Sequence, residues 1–202
     1  LFAGHIDIFK SYNLPVVYFC HSFIEEKLEF NPQDVTLLSL EYLAQQELFE
    51  KSTLIIFLTH FHRNKFINKY PLLAFKSRVV YPGIDFYSYN HLKRKKKILY
   101  VGRFSDEKGV YDLACAFRRF SLIFKDFELI MVGAQEDSLY LLKIKEVLNG
   151  ASYKIIPWVK DRDRLLEYYK EASLFVAPSY YETFNFALMD AISCGVPVLV
   201  SD

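Results

Sequence analysis

Short apolar runs rich in valine, isoleucine and tyrosine alternate along the chain with longer amphipathic stretches. This alternation is typical of a parallel sheet covered by helices on both faces, so the sequence predicts an α/β fold. The predicted buried strands are Val16–Phe19, Leu54–Leu58, Arg78–Tyr81, Ile98–Val101, Glu128–Val132, Lys154–Ile156, Leu174–Ala177 and Val196–Val200. The predicted helices are Asp34–Phe49, His60–Tyr70, Gly109–Phe124, Glu136–Leu148, Asp161–Lys170 and Thr183–Cys194.

The alternation lapses between Pro82-Gly83 and Ile98, where an aromatic stretch is followed by the basic run at 93–97. We expect domains at 1–85 and 98–202, joined by a linker at 86–97. A basic run can bind a membrane or nucleic acid, but no amphipathic helix accompanies this one, so a solvated linker is favoured. Because the chain starts without methionine and stops directly after a strand-like run, we expect a piece of a longer protein, with the first domain incomplete and the second truncated.

Composition narrows the class of protein. The 202 residues are 52% hydrophobic, which is ample for a buried core, and 25 basic residues nearly balance 24 acidic ones. Nothing in this balance requires nucleic acid as a partner. The cysteines, Cys20, Cys115 and Cys194, are far apart and form no C-x-x-C pair, which favours a cytoplasmic location. Charged or polar residues interrupt every apolar run before the roughly 18 to 20 residues needed to cross a bilayer.

A first candidate site is the segment Val101–Gly109, which follows a predicted strand and precedes a predicted helix. Free backbone N–H groups and the helix dipole favour a bound phosphate at such a junction, and Arg103 and Lys108 add two mobile positive charges. The segment matches neither G-x-G-x-x-G nor the Walker pattern. The alternative is an ordinary loop with solvated charges.

A second candidate site is the segment Pro178–Asp190, again a strand end, a loop and a helix start. Glu182 is expected at the mouth of the helix, able to accept hydrogen bonds from sugar hydroxyls, while the N–H groups of 184–186 can hold a phosphate. Asp190, eight residues on, is expected about two turns deeper on nearly the same face. The alternative is that Glu182 caps the helix and Asp190 is merely exposed.

The two segments, with their order and separation, resemble the C-terminal domain of glycosyltransferase family 4, among the glycosyl transferases group 1. These are retaining enzymes with the GT-B fold, two facing Rossmann-like domains. Upstream, Leu58-Thr59 and Val80–Asp85 resemble the end of the family's N-terminal domain. The resemblance is most specific in Tyr100–Arg103, Glu107–Gly109, Ile130–Gly133, Leu174–Ser179 and Cys194–Val198.

By this resemblance, Arg103 and Lys108 neutralise the diphosphate of a nucleotide-sugar donor without a metal ion or cofactor. Glu182 holds the donor sugar. Asp190 stands where the family has a second glutamate, one methylene longer, so its ribose contact is expected to be weakened or made through water. The resemblance implies catalytic roles for Arg103, Lys108, Glu182 and His21, and donor contacts from Gly102, Phe184, Asn185, Phe186 and Asp190.

His21 ends an apolar strand at the position where the family often has a histidine facing the reacting sugar; a core or turn histidine is the alternative.

Two segments resemble metal sites. Asp161-Arg162-Asp163 has the D-x-D form but directly precedes a predicted helix, where aspartate is a favoured cap. His60-Phe61-His62 lacks zinc-ligand spacing and is expected to begin a helix. We therefore predict no metal site.

The resemblance implies transfer of a hexose-like sugar, with retention, from a UDP-, GDP- or ADP-sugar to the hydroxyl of a glycan, lipid-linked or small-molecule acceptor. The donor is expected in the cleft between domains, and the departing phosphate is expected to help deprotonate the acceptor. Peripheral contact with the inner face of the membrane stays open. So do two other functions: a noncatalytic fragment or subunit that binds nucleotide sugar, and a related GT-B epimerase or phosphorylase.

Overall fold

A computed structural model describes residues 14–26, 35–87, 94–134 and 139–201. The chain divides into two compact units, 1–83 and 84–202. Predicted positions 34, 88–93 and 136–138 lie outside the described residues. The elements of the first unit are β1 (Val17–Cys20), α1 (Val35–Lys51), β2 (Leu54–Phe57), α2 (His60–Lys69), a 3-10 turn (Pro71–Lys76) and β3 (Ser77–Val79). Those of the second are β4 (Lys97–Val101), a 3-10 turn (Asp106–Lys108), α3 (Val110–Ile123), β5 (Glu128–Ala134), α4 (Leu139–Val147), β6 (Tyr153–Pro157), α5 (Arg162–Glu171), β7 (Leu174–Ala177), α6 (Phe186–Ser193) and β8 (Val198–Val200).

The first unit contains a parallel sheet in the order β1-β2-β3. The central strand β2 is apolar throughout, and Ile55 and Phe57 are fully buried. Phe66 of α2 packs against Phe57, with ring centroids 4.9 Å apart, and Phe49 of α1 completes the cluster. The apolar strand and the inward-facing aromatic rings of two helices therefore form one core.

The second unit contains a five-stranded parallel sheet in the order β6-β5-β4-β7-β8. Its inner strands are nearly continuous apolar runs, as expected when helices cover both faces. Successive residues point to opposite faces, so Tyr100 packs with α3 and α4 whereas Leu99 packs with α5 and α6. The predicted α/β fold with parallel sheets is confirmed.

The strand order reverses beside β4. The chain runs from β4 outward through β5 to β6, and then returns to the other side of β4 for β7 and β8. The helices that follow β4 and β7 therefore leave toward opposite faces and open a crevice between the carboxyl ends of these strands. In open α/β sheets, this reversal point is where ligands bind.

Two predictions about local structure differ from the observed fold. The helix predicted from Thr183 begins at Phe186 and is capped by Asn185, so Glu182 lies in the loop at the mouth of the helix, and the expectation that it shares a helix face with Asp190 is wrong. The basic run was expected to be a solvated linker; Lys95 and Lys96 are exposed, as this requires, but Lys97 already begins β4 and Arg94 is half-buried. Arg94 donates to the carbonyl oxygens of Ala172 and Gly195. These two residues follow the carboxyl ends of α5 and α6, where carbonyl oxygens have no partner within the helix.

Candidate functional site

A small open pocket of about 110 Å³ lies at the reversal point of the second sheet. One wall comes from the end of β4 and the loop after it, and the other from the end of β7 and the start of α6. The residues that line it are Tyr100, Val101, Gly102, Lys108, Ala177, Ser179, Glu182, Phe184, Asn185, Phe186 and Ala187. The structure thus brings together Gly102, Lys108, Glu182, Phe184, Asn185 and Phe186, six of the predicted site residues.

The two walls are fixed to each other through their backbones. Gly109 ends the 3-10 turn with φ 61°, and a Cβ on it would lie 2.0 Å from the carbonyl oxygen of Pro178, so only glycine fits. The amide of Tyr180 donates to the carbonyl oxygen of Glu107 at 2.9 Å. These contacts hold the loop that carries Lys108 close to the loop that carries Glu182.

Lys108 and Glu182 form an ion pair across the pocket, with Nζ 2.9 Å from Oε1. The Lys108 ammonium also donates to the carbonyl oxygen of Tyr181 at 3.3 Å. The Lys108 side chain is 15% exposed and that of Glu182 is 30% exposed. Each charge is therefore partly shielded from water but remains accessible to a ligand. The shielding strengthens the attraction between each charge and a bound group of opposite charge.

Glu182 accepts two further hydrogen bonds on the same oxygen. Oγ of Ser179 and Nδ2 of Asn185 each donate to Oε1 at 3.1 Å. Asn185 also caps α6, because its Oδ1 accepts from the amide of Leu188 at 2.9 Å. α6 begins with Phe186, and the N–H groups of its first turn have no acceptor within the helix. These groups and the helix dipole would stabilise an anion bound at this helix end.

Arg103 lies on the loop after β4, outside the set of lining residues, and its side chain is 65% exposed. The guanidinium pairs with the carboxylate of Glu107, which is buried. The carbonyl oxygen of Arg103 accepts from the hydroxyl of Tyr100 at 2.7 Å. Burial raises the pKa of Tyr100, and the negative charge of Glu182 raises it further, so this hydroxyl remains a donor.

Asp190 pairs with Arg162, which begins α5. The contact is bidentate: Nη1 lies 2.5 Å from Oδ2, and Nη2 lies 2.6 Å from Oδ1. This hydrogen-bonded pair raises the pKa of the guanidinium. Asp190 is not among the residues that line the pocket, although it follows Phe186 by about one turn of α6. The alternative that Asp190 is merely exposed is wrong, because both of its oxygens accept hydrogen bonds from arginine.

His21 lies in the first unit directly after β1, and its side chain is exposed. A core position for this histidine is therefore excluded. Its role toward a sugar stays a prediction.

The segments that resemble metal sites have structural roles. Oδ1 of Asp161 accepts from the amides of Asp163 and Arg164 at 3.0 and 3.2 Å, which confirms the predicted cap of α5. His60 begins α2, as predicted. Within the described ranges, no group of three or more histidine, cysteine, aspartate or glutamate side chains is arranged to hold a metal ion.

Five residues that line the pocket were not among the predicted site residues: Tyr100, Val101, Ala177, Ser179 and Ala187. Ala187 lies in the first turn of α6, and the other four lie at or just after the carboxyl ends of β4 and β7. The rule that ligands bind at the strand ends beside a reversal point would have identified these four, given the order of the strands. The strand order itself is set by pairing between strands that are far apart in the sequence, such as β4 and β7, so no single segment predicts it.

Comparisons with known proteins show one relative by sequence and two solved structures that this chain is similar to. The O-antigen chain mannosyltransferase B of Escherichia coli is 31% identical over 112 residues, covering 52% of this chain and 28% of that protein. TarM of S. aureus, solved with UDP among its ligands, covers 99% of this chain with a TM-score of 0.76 at 14% identity, and 40% of TarM is matched. Anabaena HepE in complex with UDP-glucose covers 96% with a TM-score of 0.72 at 17% identity, and 55% of HepE is matched.

These two structures show a common fold, that of GT-B glycosyltransferases. The chain spans about a quarter to just over half the length of these relatives. In the described part of the chain, no helix is long and apolar enough to cross a membrane. The sequence model of the glycosyl transferases group 1 matches residues 84–202, the whole of the second unit. Because this match extends over more than half of the chain, the protein belongs to the family of glycosyl transferases group 1.

Proposed function

We propose that the chain binds a nucleotide diphosphate sugar in the pocket at the reversal point, for retaining, metal-independent transfer of a hexose-like sugar to an acceptor hydroxyl, as in glycosyltransferase family 4. The observation that carries this proposal is the pairing of Lys108 with Glu182 across the pocket. An ammonium group can donate hydrogen bonds to a diphosphate, and a carboxylate can accept them from sugar hydroxyls. In this pocket the two groups are adjacent. The UDP and UDP-glucose bound by TarM and HepE support a donor of this class.

In the proposed reaction, the acceptor oxygen forms a bond to the anomeric carbon as the bond from that carbon to the phosphate oxygen breaks. The acceptor proton passes to the departing phosphate. Lys108 and Arg103 stabilise the charge that develops on the diphosphate, replacing a metal ion. Glu182 holds the sugar hydroxyls, and His21 is assigned to the reacting sugar. The protein would act in the cytoplasm on a glycan, lipid-linked or small-molecule acceptor.

Arg103 has a different position from Lys108 in this scheme. Its exposed guanidinium is held by Glu107 beside the pocket, and the side chain has to turn inward to reach a diphosphate. Its contribution is therefore expected only when a ligand supplies negative charge at least equal to that of Glu107. A nucleoside diphosphate does so, whereas a nucleoside does not.

The test is a calorimetric titration of the 202-residue chain, with EDTA present, using UDP, GDP, UDP-glucose and GDP-mannose. We expect Arg103→Ala to weaken binding of both the nucleoside diphosphate and the sugar conjugate of the base that the wild-type chain prefers. Glu182→Ala should weaken only the sugar conjugates, because its carboxylate meets the sugar and not the phosphates. The absence of nucleotide binding by a folded wild-type chain would refute the proposal.

A further inference from the structure

The side chain of Asn185 makes two contacts of different kinds. Its carbonyl oxygen accepts from the amide of Leu188 at 2.9 Å and caps α6. Its amide nitrogen donates to Oε1 of Glu182 at 3.1 Å. Because both ends of one planar amide are engaged, the direction of the Glu182 carboxylate is tied to the start of the helix.

The contacts of Glu182 are unevenly divided between its two oxygens. The hydrogen bonds and the ion pair that described residues make to this carboxylate all end on Oε1: those from Lys108, Ser179 and Asn185. Three donors saturate one oxygen and fix the plane of the group. The other oxygen, Oε2, keeps its acceptor capacity for a ligand in the pocket.

Of the three donors, Asn185 has the most restricted geometry. Lys108 has a flexible stem and a second acceptor, the carbonyl oxygen of Tyr181. The hydroxyl of Ser179 can rotate. The amide of Asn185 cannot rotate toward another partner without giving up the helix cap, so it is the donor that sets the orientation of the carboxylate.

We propose that Asn185 is a positioning residue for sugar recognition: its side-chain amide aims Oε2 of Glu182 at the hydroxyls of the donor sugar. This inference rests on the proposed function and deepens it. Asn185 then affects the affinity for the sugar portion of a donor, and not the affinity for the nucleoside diphosphate. A residue that only capped the helix would show no such selectivity.

Two substitutions at this position separate the cap from the contact. Asn185→Asp keeps a strong cap but places a second carboxylate against Glu182, and Asn185→Ser keeps a cap but is too short to reach it. Thr59→Ala is the matched control, because it removes a side-chain helix cap in the first unit, far in the sequence from Glu182.

The measurement is the ratio of dissociation constants for UDP and UDP-glucose, and for GDP and GDP-mannose, obtained by calorimetry on the 202-residue chain. Loss of a hydrogen bond to a charged group lowers affinity by about tenfold or more. We expect the sugar conjugate to weaken by about tenfold relative to UDP or GDP in Asn185→Ser, and the ratio to shift further in Asn185→Asp, whose added negative charge also weakens binding of the nucleotide itself. Thr59→Ala should lower the melting temperature and leave the ratio as it is.

The outcomes are distinct. If the wild-type chain prefers the sugar conjugate and both Asn185 variants keep that preference, Asn185 only caps the helix and the inference is overturned, while the proposed function stands. Equal weakening of the nucleotide and its sugar conjugate would also overturn it, since the damage would then be to the pocket as a whole. A folded wild-type chain that binds neither pair overturns the proposed function and the inference together.

Discussion

Replacing Lys108 with glutamine tests the electrostatic core of the pocket. The change removes the ion pair to Glu182, but Ser179 and Asn185 still donate to that carboxylate. Because the carboxylate keeps two donors and some exposure, the expected loss of folding stability is only about 1–2 kcal/mol. The loss for a bound diphosphate is larger, about 1.5–3 kcal/mol for one charge-assisted hydrogen bond, or roughly ten- to hundredfold in affinity.

The assay is calorimetric titration of Lys108→Gln and wild type with UDP and with GDP at two salt concentrations, together with a thermal melt of each protein. Lys145→Gln is the control, because Lys145 is exposed on α4 and its loss changes the net charge by the same amount. We expect the control to bind like the wild type and Lys108→Gln to bind about ten- to hundredfold more weakly.

Two results would refute this reasoning. If Lys108→Gln bound the nucleotide as tightly as the wild type, the ammonium would not contact the phosphates. If Lys145→Gln weakened binding to the same degree, the effect would come from the overall charge of the unit and not from a contact in the pocket.

Three further changes test other parts of the structure. Gly109→Ala should destabilise the second unit by about 1–3 kcal/mol in denaturant titration, because its φ is positive and a methyl group would meet the carbonyl of Pro178; an unchanged midpoint would contradict this. Arg162→Ala leaves the Asp190 carboxylate without its bidentate partner and should lower the melting temperature by a few degrees, whereas the double variant with Asp190→Asn should recover part of the loss. Burial lowers the pKa of His62 from its usual value near 6.5, so the folded state keeps it neutral while the unfolded chain binds a proton below that pH. The stability of the first unit should therefore fall as the pH is lowered below about 6.5, and His62→Gln should flatten that dependence in pH-resolved melts.

The sequence predicted the order of strands and helices well, because buried parallel strands such as β2 and β5 are continuous apolar runs whatever their tertiary partners. It misplaced the start of α6, since Thr183 and Asn185 are both good helix caps and the choice between them depends on which side chain can reach a free amide. In the folded chain Asn185 reaches Leu188, and Glu182 is left in the loop.

The candidate residues in the two loops were predictable from their positions at strand ends, but their pairing was not. Arg162 is 28 positions from Asp190, and nothing in the local pattern around either residue indicates the contact. Asp161-Arg162-Asp163 was interpreted through its aspartates, whereas the middle residue makes the tertiary ion pair. Such pairs are set by the packing of α5 beside α6, which a sequence pattern does not encode.

The reversal of strand order has a consequence for how the protein is made. Lys108 and Tyr181, which meet at the pocket, are 73 positions apart, so a nascent chain that ends before β7 has β4, β5 and β6 but only one wall of the site. Closing that long loop is slow compared with local folding. A ligand that needs both walls binds only after β7 has paired with β4, and it stabilises that completed state by mass action. The proposed donor would thus also favour completion of the fold of the second unit.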